Sequence, residues 1–568
     1  MPQSEWVRII PLGGLGEIGM NMFVVETADD MVVIDAGLMF PDEEMLGIDL
    51  VIPDFTYLLE HREKVRGLIL THGHEDHTGS LPFLLKEVPI PIYGTPLSLG
   101  LAAEKIREYD LEPDLRPVVP RERFTLGHLR AECMRVCHSI PDGVGVALET
   151  PAGLVVHAGD FKFDPTPVDG ELTDYHKFAE LGDRGVLVLL SDSTNALRPG
   201  FTPSERTVGQ ALEEIFRAAR RRIIVACFAS HIHRIQQILD VAARMGRRVA
   251  VHGKSMVANT RIAAETGYLK VPPGVLVRLD DLRHLSPGET VIIATGSQGE
   301  PLSAIARMAA GEHKQIEITP GDTVIFSARV IPGNEKSIAR TINQLFKRGA
   351  EVITEEHAPV HVSGHPCQEE LKLMLNLTRP KFFVPIHGEY RHRHHHARLA
   401  AALGIALDHI CLAENGDILE FAPDKGGIVG KVGAGRVFVD GKGVGDVGDA
   451  VLRERQHLAR DGMVVVVIGL HAQTGAVVAG PEIISRGFAH LPDQEVLLDA
   501  AKRLVNEILV GSPEEERRDA AVLKEHVRAV VRKYIQKTFD RRPMVVPVIL
   551  ELGGEDNDRS EFMLQRGG

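Results

Sequence analysis

At 568 residues, 44% hydrophobic and 25% charged, the chain has the composition of a globular protein and the length of about three to four domains. A buried core is expected, and a membrane span is excluded because no stretch approaches ~18 consecutive apolar residues. The net charge of −14 runs against a protein that grips nucleic acid over its whole surface, yet residues 206–349 hold 21 Lys+Arg against 12 Asp+Glu, a local +9 that leaves −23 elsewhere; a basic lobe on an acidic body suits a protein that holds a polyanion at one place.

In chain order, short apolar runs bounded by Gly, Pro and Asp predict strands at 7–12, 22–26, 31–35, 67–71, 92–94, 154–157 and 186–191. Helical periodicity falls between them at 80–87 and 98–109. Strands with polar ends and interspersed helices predict an α/β sandwich of two sheets. From about 205 the texture changes to regular alternation, with helices at 207–220, 233–245, 259–266 and 336–348 and strands at 222–227, 248–251, 290–294 and 323–327. That is a parallel, doubly wound insert of about 150 residues. Residues 381–386 and 399–403 resume the first texture. A Gly-rich run at 426–448 reads as strands and turns leading to a last unit, with strands at 463–468 and 544–550 and helices near 493–510 and 513–539. Five cysteines, at 133, 137, 227, 367 and 411, are an odd set with no repeated spacing, which argues against a disulfide framework. Cys133 and Cys137 read as core thiols. Residues 1–5 show no charged-then-apolar leader, and a cytoplasmic location is expected.

His72, His74, Asp76 and His77 follow the apolar run 67–71 within six residues. Alternation puts His72 and His74 on one side of the extended chain, while Asp76 and His77 turn towards a second point. Imidazole with carboxylate oxygen suits Zn²⁺ or Mn²⁺. Similar strand ends carry Asp35, His138, Asp160 and His387. Singly, each would more often be a capping Asp or a satisfied core His; their order along the chain is the informative feature. Gly14, Gly16 and Gly19 spell a dinucleotide fingerprint, but 22–26 reads as a strand where that motif needs a helix. The glycines are expected instead to form a hairpin turn beside the metal site.

The order Asp35, His72 to His77, His138, Asp160 resembles the metallo-β-lactamase fold. Asp192 in Ser191-Asp192-Ser193-Thr194-Asn195, then His365 and His387 after an inserted domain, resembles its β-CASP nuclease branch. Pro11 to Asn21, Phe228 to Arg234 and Arg541-Arg542-Pro543-Met544 narrow the resemblance to the ribonuclease J family, essentially from end to end. The resemblance implies an αββα sandwich at 1–205 and 356–425, interrupted by a β-CASP domain at 206–355. A linker at 426–460 and a C-terminal α/β domain at 461–568 follow. It implies two divalent metal ions, zinc foremost with manganese as alternative. One would be held by His72, His74, His138 and Asp160, the other by Asp76, His77, His387 and the bridging Asp160. Asp35 would orient a ligand imidazole, and Asp192 would brace the metal loops. His231 stands where relatives are expected to carry Asn and is left out of the site. The His-rich run 392–396 reads as a solvated helix face.

The activity so implied is endonucleolytic cleavage and 5′→3′ degradation of single-stranded RNA in RNA maturation and decay, by attack of metal-activated hydroxide on the phosphodiester. Asp76 and His77 would serve that step, with His365 protonating the leaving oxygen or steadying developing charge. Ser230, His233, His361, Ser363, Gly364 and His365 resemble a pocket for a 5′-monophosphate. A homodimer or higher oligomer through the C-terminal domain is expected. A plain metallohydrolase would leave the basic insert idle, and a DNA-directed relative would carry valine at the last motif, where this chain has His387. A non-catalytic RNA scaffold would need a broken ligand set.

Overall fold

Val7–Gly13, Met22–Glu26 and Met31–Ile34 are β-branched runs closed by Gly, Asn or Asp, and they pair antiparallel in sequence order. They sit in an eight-stranded sheet that continues through Val65–Ile69, Ile92–Gly94 and Leu115–Pro117 and is edged on the other side by Asp417–Ala422 and Lys425–Lys431. This computed structural model describes residues 5–42, 44–300, 302–331, 333–487 and 491–552, without the side chains of 491–497. The leader reading at 1–4 and the part of the last segment beyond Leu552 lie outside the described residues.

A second, six-stranded sheet runs Phe382–Ile386, Val186–Asp192, Gly153–His157, Val144–Thr150, Leu129–Arg135, Arg123–Leu126. The inner faces of the two sheets share one core, with Ile9, Phe23, Val25 and Ile69 against Val146, Leu148, Val155 and Leu190. Outer faces are covered as well. Ile10, Val24 and Val33 pack on helices Leu81–Glu87 and Pro96–Arg107, and Val156, Leu189 and Phe383 on Tyr175–Arg184, Gln368–Thr378 and Tyr390–Ala402. Burial on both faces explains why these strands read as continuous apolar runs without polar alternation. The architecture is the expected αββα sandwich.

The insert is a five-stranded parallel sheet in the order Arg248–His252, Thr290–Ala294, Ile223–Ala226, Thr323–Phe326, Glu351–Ile353. Helices Arg206–Ala218, Ile232–Arg244 and Lys254–Glu265 cover one face, and Ala304–Ala310 and Glu335–Lys347 the other. It is doubly wound, as the alternation predicts. Residues 399–403, grouped by texture with the strands, close the helix Tyr390–Ala402, where Leu399 and Ala400 turn onto the second sheet. The strand Val144–Thr150 is not evident from the sequence because Gly145 looks like a turn. A Cβ there would lie 2.9 Å from the Ala158 carbonyl oxygen, so the glycine serves close strand packing.

A second compact unit is built from the described parts of 43–48 and 440–568. Its three-stranded sheet, Val477–Arg486, Met463–His471, Met544–Leu552, buries Val464, Val466, Ile468 and Ile483 against Val505 and Leu509 of helix Leu491–Gly511 and Val527, Val531 and Ile535 of helix Ala520–Phe539. Among the described residues no helix is long and apolar enough to cross a membrane.

Candidate active site

Parallel pairing sets the position of the site. Met31–Ile34 pairs parallel with Val65–Ile69, and Gly153–His157 with Val186–Asp192 and then Phe382–Ile386. Strands that run the same way end at the same edge; Asp192 closes its strand there, and just past the other ends stand Asp35, His72, Asp160 and His387. The stretch from His72 to His77 turns from strand into the short helix Glu75–Thr78.

The side chains converge. Ligand-capable atoms of His72, His74 and His138 lie within 4.8 Å of one another, as do those of Asp76, His77, Asp160 and His387. Asp160 Oδ2 is the shared point, 3.2 Å from His77 Nε2, 3.4 Å from His387 Nε2, 3.8 Å from His365 Nδ1, 3.9 Å from His138 Nε2 and 4.0 Å from His72 Nε2. All seven residues expected as metal ligands are thus brought together.

Their hydrogen bonds decide where the lone pairs point. Asp35 Oδ2 accepts from Thr71 Oγ1 at 2.8 Å, so Thr71 Oγ1 can only accept from His72 Nδ1 at 3.0 Å. His138 Nδ1 donates to the Gly364 carbonyl at 2.9 Å. Both rings therefore carry hydrogen on Nδ1 and present bare Nε2 atoms, and both aim at His74 Nδ1, at 2.9 and 3.2 Å. One ring nitrogen cannot offer hydrogens to two lone pairs, so the triplet is shaped for a cation. Burial and the neighbouring imidazoles pull His72 and His138 well below the ordinary imidazole value. His74 is brought down, chiefly by burial, to about 4. Neutral imidazole is the ligand form.

His77 Nδ1 donates to Asp35 Oδ2 at 2.7 Å, which turns its Nε2 towards Asp160 and Asp76. Burial opposes a proton there, but the carboxylates of Asp160, Asp76 and Asp35 prevail and raise His77; Asp160 and its neighbours likewise lift His387, against burial, to about 9. Imidazolium is the counter-charge available to these carboxylates in the protein alone, and a divalent cation would fill the same place. Asp35 is wholly buried and at φ 61°, and this contact sets the direction of the His77 ring.

Asp192 Oδ2 accepts from His365 Nδ1 at 2.7 Å, and the His365 ring centroid lies 4.9 Å from that of His138 and 5.2 Å from that of His387. Burial lowers His365, but Asp192 and Asp160 outweigh it and keep the ring above the usual imidazole value.

Of the phosphate-pocket candidates, His361 is held by burial and by Arg234, Lys162 and Arg198 at about 3, and its buried Nδ1 has no partner. Ser363 Oγ accepts from Asn195 Nδ2 at 2.8 Å and from His365 N at 3.2 Å. His233 Nε2 meets Asp169 Oδ2 at 3.1 Å, a partner the sequence did not suggest. Ser230 is half-buried one residue before His231. Gly364 lies against His138, where a Cβ would come within 2.7 Å of the ring. His231 is buried with no hydrogen bond to either nitrogen, its Nε2 3.7 Å from Glu205 Oε1 and its ring centroid 6.3 Å from that of His361.

Sequence reasoning missed Asn21, whose Nδ2 lies 3.1 Å from both His77 Nε2 and the Asp76 carbonyl oxygen, and also Thr71, Thr194 and Asn195. Asn21, Thr194 and Asn195 stood inside motifs already singled out, where a short polar residue after a strand was the available signal. The His-rich run is only partly a solvated face: His394 is exposed, but His392 and His396 are buried, and His396 packs on Phe383 with Nδ1 3.0 Å from Ser193 Oγ. The basic excess of the insert is not concentrated at the site. Arg220 to Arg222, Arg247 and Arg248 precede Ile223–Ala226 and Arg248–His252 or begin them, at the strand ends away from His231. Arg222 is tied to Asp322 at 2.5 Å and Arg247 to backbone carbonyls.

Comparison with known proteins agrees along the whole chain. Residues 220–345 match the family "Ribonuclease J, beta-CASP domain", 450–552 the "Ribonuclease J C-terminal domain", 15–226 the "Metallo-beta-lactamase superfamily" and 350–410 the "Zn-dependent metallo-hydrolase RNA specificity domain". Ribonuclease J2 of Bacillus subtilis is 43% identical over 551 residues, covering 97% of this chain and 99% of that protein. Ribonuclease J of Thermus thermophilus is 44% identical over 559 residues, covering 97% and 96%. A solved structure of a protein of unknown function from Enterococcus faecalis, 14% identical, shares the fold at a TM-score of 0.53 over 73% of this chain and 100% of that one. With such identity over nearly the full length of its relatives, the chain belongs to the ribonuclease J family.

Proposed function

We propose that the chain is a metal-dependent ribonuclease that binds single-stranded RNA, cuts it internally and also degrades it 5′→3′ from a monophosphorylated end, acting in RNA maturation and decay. The observation that carries this reading is the convergence of five imidazoles on Asp160 Oδ2, the bare Nε2 atoms of His72 and His138 among them. His72, His74, His138 and Asp160 would hold one ion; Asp76, His77, His387 and Asp160 would hold the other. Zinc, or manganese in its place, suits such donors. Ions so held would supply positive charge at a phosphoryl oxygen and would lower the pKa of water from ~15.7 towards ~7.

The remaining work falls to protein groups. Asp35 and Gly364 fix the rings of His77 and His138. His365, raised above the ordinary imidazole value by Asp192 and Asp160 against burial, would give a proton to the departing 3′ oxygen, so that products carry 5′-phosphate and 3′-hydroxyl ends. Ser230, His233, His361, Ser363 and Gly364 would receive a terminal monophosphate. The unpartnered His361 Nδ1 amid Lys162, Arg198 and Arg234 supports an anion there, since a buried polar atom without a partner is costly unless a ligand meets it.

Chelator-treated protein should leave single-stranded RNA intact and regain cleavage with Zn²⁺ or Mn²⁺, while DNA of equal length stays whole. Equal digestion of DNA, or full activity without metal, overturns the reading. Homo-oligomerisation through the second unit is part of the proposal, supported by the half-buried apolar row Val465, Val467, Val546 and Val548 on the sheet face opposite its helices. A chain ending at Val439 that keeps the full-length oligomeric state refutes it. Five buried free thiols suit a reducing cytoplasm.

A further inference from the structure

The turn after the strand Val186–Asp192 makes contacts that the roles above leave unused. Thr194 Oγ1 lies 2.7 Å from Asp192 Oδ1 and 2.6 Å from His387 Nδ1. A hydroxyl has one hydrogen and a carboxylate only accepts, so Thr194 donates to Asp192 and receives the His387 Nδ1–H on its lone pair. The other direction open to its hydrogen, towards the His387 carbonyl, is longer at 3.4 Å. His387 is thereby fixed with hydrogen on Nδ1, and Nε2, 3.4 Å from both Asp76 Oδ2 and Asp160 Oδ2, is the nitrogen left to meet a cation in place of its own proton.

Two further features make this contact necessary. His387 sits at φ 53°, a left-handed conformation that turns its side chain off the regular direction of the strand before it. Its Nδ1 is 3.7 Å from Asp192 Oδ1, beyond hydrogen-bond reach. Without the threonine hydroxyl the ring has no partner for its Nδ1–H among the contacts of this turn. Meanwhile Asp192 Oδ2 holds His365 directly. One buried carboxylate therefore sets two rings, His365 by contact and His387 through Thr194.

We propose that Thr194 is a positioning residue whose hydroxyl fixes the tautomer and direction of His387 and so sets affinity for the ion that Asp76, His77 and His387 would share. The proposal rests on the metal-centre reading above. Partners one step behind a metal ligand typically govern affinity by about 10- to 100-fold.

The test compares full-length wild type, Thr194→Val and Thr194→Ser by zinc titration against a competing chelator, resolving two binding steps, with thermal unfolding of the metal-free proteins alongside. Thr194 is half-buried, so valine, of nearly the same shape, removes only the hydroxyl. The expected result is that valine weakens one zinc by about 10- to 100-fold and leaves the other, while serine binds both like wild type. Should the valine variant lose its fold, Thr194→Ala measured against serine makes the same comparison. Equal affinities in all variants, equal losses for serine and valine, or loss of both ions together with lowered Tm would each overturn the proposal. Wild type that binds no zinc would instead remove the metal-centre reading on which it stands.

Discussion

Ser363→Ala is the most discriminating perturbation of the 5′-end reading. Both lone pairs of Ser363 Oγ are taken, by Asn195 Nδ2 at 2.8 Å and His365 N at 3.2 Å, so its single hydrogen is left to point at a ligand. A hydrogen bond to a charged group contributes ~1.5–3 kcal/mol, roughly 10- to 150-fold in rate or affinity at 1.36 kcal/mol per decade. The structural cost is bounded, because Asn195 Nδ2 keeps the His365 carbonyl at 3.0 Å when the hydroxyl is removed. Exonucleolysis of 5′-monophosphorylated RNA should therefore fall by that factor. Cleavage of triphosphorylated RNA, which on the proposed reading bypasses the pocket, should change little. The assay follows wild type and variant on matched mono- and triphosphorylated RNAs, scoring mononucleotide release apart from internal cuts. Equal losses on both substrates would mean that the hydroxyl serves only its own loop, and the pocket reading would fail.

His77→Ala and Asp160→Ala should both abolish cleavage while RNA still binds; Asp160 Oδ2 lies within 4.0 Å of ring nitrogens in both donor groups, so its loss should lower metal content further, and metal analysis showing the reverse order would refute the bridging role. Gly364→Ala places a Cβ 2.7 Å from the His138 ring and 2.8 Å from Ser139 N, so the protein should bind one zinc at least about 10-fold more weakly, read by chelator competition; unchanged affinity would show that the loop yields freely. For Asp30, burial raises the carboxyl, but hydrogen bonds from Arg66 and His128 outweigh it and hold it below 3.8. A depressed carboxyl stabilises the fold above its unfolded value, and that contribution is lost as pH falls through the folded one. Asp30→Asn should thus cost about 1–3 kcal/mol near neutral pH, with a Tm difference from wild type that narrows only below pH 4; a difference independent of pH would point to packing.

Much of the site was legible because metal chemistry needs particular residue types, and strand ends announce themselves by apolar runs that stop at Gly, Asp or His. His72 to His77, His138, Asp160 and His387 could be picked out that way, and the insert by its regular alternation. What supports them was less legible. Thr71, Thr194 and Asn195 act through single hydrogen bonds to rings that are distant in sequence, as in Thr194 to His387, and a short polar residue in a turn looks the same whether it caps its own backbone or reaches across the fold.

The sequence by itself determined the candidate donor residues, their order, the two-sheet sandwich and the doubly wound insert, since periodicity and composition are local properties of the chain. Only the tertiary structure decided which nitrogen of each imidazole faces the cluster, because that depends on the partner of the other one: the Gly364 carbonyl for His138, Asp35 for His77, Thr194 for His387. It also decided that His392 and His396 turn inward while His394 faces solvent, and that the arginines of residues 220–222 sit at the strand ends away from the site. Charge and histidine content are visible in a linear chain, whereas the face they occupy is set by how strands pair and helices pack.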